Sequence, residues 1–333
     1  MANAREARDW AAEALRGIGD SLYTPFAGAD GEDIDYDAYR ELVRHCVADL
    51  GHPMLWCTSG VGEFWSLTIA ERKRLLEVAI EVGRAINPDL VVQACTAATS
   101  PLDCLDLTRH AERAGADIAY IQTPMMETHG GAGTLRFVNY VAERTDIALG
   151  LFNSPSSGYV LSAAESAAIY AAVPAVCASK EGAFRPRNSR ALHELAPGLV
   201  IWECDLLVYR AGWLAQGIVC PAQLGTVGYL HETPDRPILT EYWELIYAGR
   251  LAEAIAHARD AGMDRLEADL GSVYTSYPGR PDYFTHWGGA FKHAAAVLGL
   301  PVGDHPDSRP PQDRLPAEAK ARIERAYLRS ALV

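Results

Sequence analysis

Residues 90–123, LVVQACTAATSPLDCLDLTRHAERAGADIAYIQT, contain one complete strand–helix–strand unit. Leu90–Thr96 is a short apolar run of strand type. Ser100-Pro101 follows with a capping residue and a proline in the first turn, and Gly115 supplies the stop. Asp117–Thr123 is the next apolar run. Neither run alternates with polar residues, the pattern of parallel strands covered on both faces. Two such strands need a crossover, and the helix between them provides it.

The same grammar extends in both directions. Leu22–Phe26, Met54–Ser59, Ala148–Asn153, Ala175–Lys180, Leu199–Cys204 and Gly217–Pro221 are further candidate strands. Amphipathic segments lie between them, such as Glu71–Ile86, with Leu75, Leu76, Ala79, Ile80 and Val82 near helical spacing. Eight units predict an α/β chain folded as a (β/α)8 TIM barrel, with a doubly wound sheet as the competing topology. No G-x-G-x-x-G follows the first strand, which speaks against dinucleotide binding. Beyond residue 235 the strand signals stop. Tyr242–Gly262, Trp287–Leu300 and Ala317–Ala331 read as helices, interrupted by the Pro/Gly-rich stretch Ser276–Asp282. The expected organisation is an N-terminal helical extension (1–17), the barrel (18–235) and a C-terminal helical domain (236–333).

Composition narrows the function. The 333 residues carry 43 acidic and 30 basic side chains, a formal charge of −13, which argues against a nucleic-acid partner. No apolar run approaches the ~20 residues of a membrane span. The first seventeen residues have no apolar core and carry two Glu and an Asp, so a surface helix is expected there rather than a signal peptide. The expected location is the cytoplasm, with seven reduced cysteines. None forms a C-x-x-C pair, and Cys57, Cys95, Cys177 and Cys220 lie in apolar runs.

In a barrel of this kind the strand ends build the site. Only four of the 30 basic residues are lysines. Lys73 and Lys320 belong to charged helical faces and Lys292 to a C-terminal helix. Lys180 alone ends an apolar strand, in AVCASKEG. Burial disfavours an ammonium, and a neutral amine is the nucleophile that condenses with a ketone. The alternative is an ion pair with Glu181 or Glu63.

YTPF (Tyr23–Phe26), TSGVGE (Thr58–Glu63), LFNSP (Leu151–Pro155), ASKEG (Ala178–Gly182) and the late FKHAAAVLGL segment occur in order along the chain. In these the chain resembles the dihydrodipicolinate synthase/N-acetylneuraminate lyase superfamily from about residue 18 onward. The resemblance implies a Schiff-base lyase on a (β/α)8 barrel with a helical C-terminal domain. It implies that Lys180 forms the imine with pyruvate or another 2-oxo acid, that Gly62-Glu63 is the family's G-E turn, and that Asn153 and Pro155 are its N-x-P. Thr24-Pro25 corresponds to its T-P. Thr24, Thr58, Ser59, Gly60, Val61, Glu63, Phe152, Asn153, Arg185 and Cys204 are then the candidate substrate-binding residues.

The departures matter equally. The tyrosine that usually precedes N-x-P and relays protons is Phe152. The hydroxyl residues of the G-T-T-G-E turn are Gly60 and Val61. The tyrosine pair after the fourth strand is Met125-Met126, and the arginine after N-x-P-S is Ser157. These losses argue against dihydrodipicolinate synthesis itself. Tyr23, Tyr120 and His129 are candidate replacements for the proton carrier, each with a bland alternative: core packing for the tyrosines, solvation for the histidine. Arg185 and Arg187 could pair a distal carboxylate or simply be solvated. Trp56, Phe64, Trp65, Phe152, Phe184 and Trp202 flank strand ends, which suits an apolar or aromatic partner and brings the chain nearer the hydratase-aldolase branch.

The expectation is a class I, metal-independent aldolase needing no cofactor, joining or cleaving a C–C bond between a 2-oxo acid and an apolar or aromatic aldehyde. A dehydratase or decarboxylase acting through the same imine, and a non-catalytic ligand-binding barrel, are the alternatives. A homodimer or homotetramer is expected, with no membrane partner.

Overall fold

The computed structural model describes residues 3–124, 130–182, 186–203, 211–212, 214–217, 222–224, 227–274 and 287–333. Eight parallel strands form one curled sheet: β1 (Gly17–Ser21), β4 (Met54–Cys57), β5 (Val91–Cys95), β6 (Ile118–Gln122), β7 (Ala148–Asn153), β8 (Val176–Glu181), β9 (Val200–Glu203) and β10 (Ala222–Leu224). A small antiparallel ribbon, β2 (Phe26–Ala27) and β3 (Asp33–Ile34), follows β1. Around the sheet the order runs from β1 through β4 to β9 without reversal, and β10 pairs back onto β1. That order has no switch point, which excludes the doubly wound alternative. The expected closed cylinder is seen as a curled sheet, because no ladder joins β9 to β10 among the described residues.

Alternation along the strands separates two cores. Met54 and Trp56 of β4 point into the curl with Cys95, Ile118, Tyr120, Ala148, Phe152 and Trp202. Leu55 and Cys57 point outward, into the layer that helices cover. The helix over β4 and β5, α3 (Ile69–Ile86), starts with a capping box between Thr68 and Glu71, a device worth ~0.5–2 kcal/mol at the cap residue. Pro101–Ala114 begins at Ser100 and ends at Gly115 with φ 96°, as its sequence signals require.

Two expectations are corrected. The first strand is Gly17–Ser21, upstream of Leu22–Phe26. GIGDS has weak strand propensity, and its neighbours on both sides impose the extended form. The N-terminal helix, Ala7–Ala14, is no surface helix either. Ala7, Ala11 and the following Leu15 are buried against Met54, Ile118, Ala148 and Val200, so the helix plugs the N-terminal end of the curl. Arg8 clamps it there, donating to the carbonyls of Tyr170, Val173 and Val176.

The C-terminal region is helical, as expected. The segment Tyr242–Gly262 is two helices, Ile238–Tyr247 and Leu251–Asp260, broken at Gly249 with φ 74°. Met263–Tyr274, Trp287–Val297 and Ala317–Tyr327 complete it. Ser276–Asp282 lies outside the described residues. Among those described, no helix is long and apolar enough to cross a membrane.

Candidate active site

Lys180 sits near the C-terminal end of β8 and is 3% exposed. Register places Phe152 beside it on β7 and Trp202 beside it on β9. Its Nζ lies 5.1 Å from the Phe152 ring centre and 5.9 Å from that of Trp56, which reaches across from β4. Trp56 meets Phe152 edge-on at 5.1 Å and Tyr120 at 5.4 Å. The approach to the amine depends on Gly182, where an added Cβ would stand 2.6 Å from Nζ.

No carboxylate pairs with this lysine among the described residues. The neighbouring Glu181 points to the other face of the strand, where its carboxylate accepts from Ser179 Oγ at 2.7 Å and Asn153 Nδ2 at 2.9 Å. Burial, opposed by hydrogen bonds from Ser179, Asn153 and Asn188 and by the nearby charge of Lys180, leaves the Glu181 carboxyl above its ordinary range. Neither proposed ion-pair partner of Lys180 is therefore in place, since Glu63 also faces elsewhere.

The turn after β4 carries the second group of candidates. Thr58 has φ 51° and Glu63 φ 57°, the left-handed region that non-glycine residues avoid. Thr58 Oγ1 donates to Cys95 O at 3.3 Å. Ser59 Oγ is buried without a hydrogen-bond partner among the described residues, and Val61 is buried beside Gly60. Thr24 Oγ1 donates to Gly62 O at 2.8 Å, so this hydroxyl supports the turn. Glu63 is completely buried and pairs with Lys292 Nζ at 2.8 Å.

Two of the candidates meet partners away from the lysine. Tyr23 donates to Pro301 O at 2.7 Å and packs edge-on against Tyr229 in the outer core, away from the rings around Lys180. Burial also holds its phenol well above the usual range. Its hydroxyl is thus committed to a carbonyl of the C-terminal region. Asn153 spends its side chain locally: Oδ1 accepts from Leu161 N at 2.9 Å and Nδ2 donates to Leu161 O at 3.0 Å. With the bond to Glu181, it fixes the loop after β7 rather than reaching for substrate. Ser157 holds the same loop by bonds to Ser154 O and Tyr159 O.

Tyr120 is one register layer below Lys180, its ring over Gly150, where an added Cβ would come within 2.4 Å. Its hydroxyl is buried and burial raises its pKa well above the ordinary value. Phe64 and Trp65 meet edge-on at 5.4 Å above the turn. Arg187 is exposed on the helix Pro186–Leu195. Arg185, His129, Cys204, Phe184, Met125 and Met126 lie outside the described residues, as does Cys220.

Sequence reasoning missed two supports. Buried Arg72 donates to Cys95 O and Ala97 O, each at 2.7 Å, and holds the end of β5. Lys292, by sequence an ordinary helix lysine, is the second. The available signal is its setting, GGAFKHAAA, in which every neighbouring helix position but His293 is small or apolar.

In curled parallel sheets of this kind the C-terminal strand ends are where chemistry is placed, and Lys180 stands at one of them. The Dihydrodipicolinate synthetase family profile matches residues 14–213, and the chain belongs to that family. An uncharacterized DapA-like lyase of Thermococcus onnurineus is 33% identical over 148 residues, 44% of this chain and 48% of that protein. A 4-hydroxy-tetrahydrodipicolinate synthase of Thermotoga neapolitana is 32% identical over 141 residues, covering 42% and 46%. The matched stretch thus spans about half the length of these relatives. In fold the chain is similar to dihydrodipicolinate synthase from Cyanidioschyzon merolae with lysine bound (TM-score 0.78, 21% identity, 96% of this chain and 99% of that one). It is also similar to a prophage protein of the dihydrodipicolinic acid synthase family from E. coli K12 in complex with pyruvate (TM-score 0.79, 20% identity, again 96% and 99%).

Proposed function

We propose that the chain is a class I Schiff-base lyase on a closed (β/α)8 barrel, with Lys180 condensing with pyruvate or another 2-oxo acid. The observation that carries this reading is a lysine 3% exposed at a strand end, resting on aromatic rings with no carboxylate partner among the described residues. Nζ attacks the ketone carbon, and the carbinolamine oxygen takes a proton and leaves as water. Loss of a proton from the adjacent carbon gives an enamine. That carbon bonds to an aldehyde carbon whose oxygen is protonated, and water then releases the product; C–C cleavage is the reverse. The Phe152 and Trp56 faces stabilise the cationic iminium. The iminium is itself the electron sink, so the reaction calls for no metal.

The rings of Trp56, Phe152 and Trp202 around the lysine favour an apolar or aromatic aldehyde over a sugar. Borohydride reduction with pyruvate, read by peptide mass spectrometry, tests the assignment. Labelling of Lys180 alone is expected, also in the presence of EDTA. Labelling of Lys73, Lys292 or Lys320, or of none, overturns it.

Phe152 favours a second reading. The residue beside the amine has no proton to give, as in a barrel that binds a ligand without turning it over. An adduct without product, for any aldehyde offered, would support that reading. The same imine could also serve dehydration or decarboxylation of a keto acid.

A further inference from the structure

The turn 58–63 is held from outside the barrel. Glu63 lies at the start of the C-terminal helix Trp287–Val297, so close that a Cβ on Gly288 would stand 2.2 Å from its Oε1. Lys292, on the same helix and completely buried, places Nζ 2.8 Å from that oxygen. The ammonium also donates to Asp307 O at 3.0 Å and Thr24 O at 3.5 Å, with the Phe26 ring 4.2 Å away. Burial lowers the Lys292 pKa, and the Glu63 carboxylate opposes that shift. Glu63 exposes none of its surface, so its carboxylate serves this anchorage.

The anchored segment is strained at both ends. Left-handed backbone at Thr58 and Glu63 persists only where the surroundings over-determine it. The restraints are specific: Glu63 N donates to Gly60 O, Phe64 N to Ser59 O, and Ser66 N and Oγ to Glu63 O. Thr24 and Lys292 fasten the same turn to β1 and to the C-terminal helix. Trp56, two residues before the turn, faces Lys180.

We propose that Lys292 is a positioning residue of the site: through its buried pair with Glu63, the C-terminal helix holds turn 58–63, and with it the Trp56 ring beside Lys180, in the conformation that lets the 2-oxo acid reach the amine. This rests on the lyase reading above. Small displacements of such a support have large kinetic consequences.

The test uses the full chain with Lys292→Met, and with Glu63→Gln/Lys292→Met, which removes both charges and so avoids a lone buried carboxylate. Adduct formation on Lys180 is measured against pyruvate concentration. Both variants are expected to need about ten- to a hundredfold more pyruvate for half-maximal trapping, with the label still on Lys180. If Lys292→Met fails to fold, the double variant gives the answer. A folded double variant with wild-type half-saturation overturns the proposal, because a purely structural pair would leave that value unmoved. Amide hydrogen exchange over residues 58–66 is the substrate-free readout: exchange at least about tenfold faster in the double variant is expected, and unchanged exchange overturns the proposal. Failure of the wild-type chain to trap pyruvate would defeat the lyase reading and leave the exchange result to decide the anchorage.

Discussion

Lys180 and Lys292 are both buried, both rest on aromatic rings and both stand at the strand-end face of the barrel, yet their surroundings differ. Lys292 has a carboxylate at 2.8 Å and a backbone carbonyl at 3.0 Å. Lys180 has rings at 5.1 and 5.9 Å and no carboxylate partner among the described residues. A buried ammonium with charge-assisted hydrogen bonds is occupied. Lys180 has no such carboxylate bond among the described residues and lies over two ring faces. Burial alone therefore does not fix what a lysine does: one of these two is committed to an ion pair and the other is not.

The largest effect should come from breaking the first member of the pair. Lys180→Ala should abolish pyruvate trapping at any concentration while Lys292→Met keeps it at saturating pyruvate, measured by intact mass after borohydride. An adduct surviving in Lys180→Ala would reverse the roles assigned to the two lysines. In stability the order should invert. Lys292→Met strands the Glu63 carboxylate and should cost about 3–5 kcal/mol in urea unfolding, the range for a broken buried pair. Lys180→Ala should cost much less.

A buried histidine sharpens the contrast. His52 lies between Asp20 and Glu232, with both nitrogens 2.5 Å from a carboxylate oxygen. Burial works against its charge, but the two carboxylates win and bring its pKa up to about 9. A folded pKa above the unfolded value gives stability that is complete below ~6.5 and lost as pH rises through about 9. The urea midpoint of the wild-type chain should therefore fall between about pH 7 and about pH 10, and His52→Gln, weaker throughout, should fall less over that interval. Equal slopes would show that the triad does not hold the proton.

Phe152→Tyr tests the surroundings of Lys180 more gently. It adds a hydroxyl beside the amine, costing ~1–3 kcal/mol if left buried without a partner. Activity should fall or stay unchanged. A rise of orders of magnitude on simple pyruvate–aldehyde pairs would mark a decayed aldolase and favour the binding reading. The smallest effect is expected from Tyr23→Phe. Losing the bond to Pro301 O should cost ~1 kcal/mol of stability and leave trapping on Lys180 unchanged. A large loss of activity would restore Tyr23 as proton carrier.

Much of this architecture is legible along the chain because it depends on local order. Apolar runs such as Ala148–Asn153 and the Ser100-Pro101…Gly115 signals need only their own residues to form strand and helix. The prominence of Lys180 needs only its place at the end of such a run. What escaped depends on contacts between distant segments. GIGDS becomes β1 because β4 and β10 pair with it, and Ala7–Ala14 is buried because a curled sheet leaves an end to plug. Asn153, Tyr23 and Glu63 are polar residues at strand ends, and sequence cannot say whether their hydrogen-bonding atoms face a substrate or a carbonyl many residues away. The tertiary structure turned Tyr23 toward Pro301 and Glu63 toward Lys292. A buried polar atom must find a partner, and which partner is in reach is decided only when remote parts of the chain are packed together.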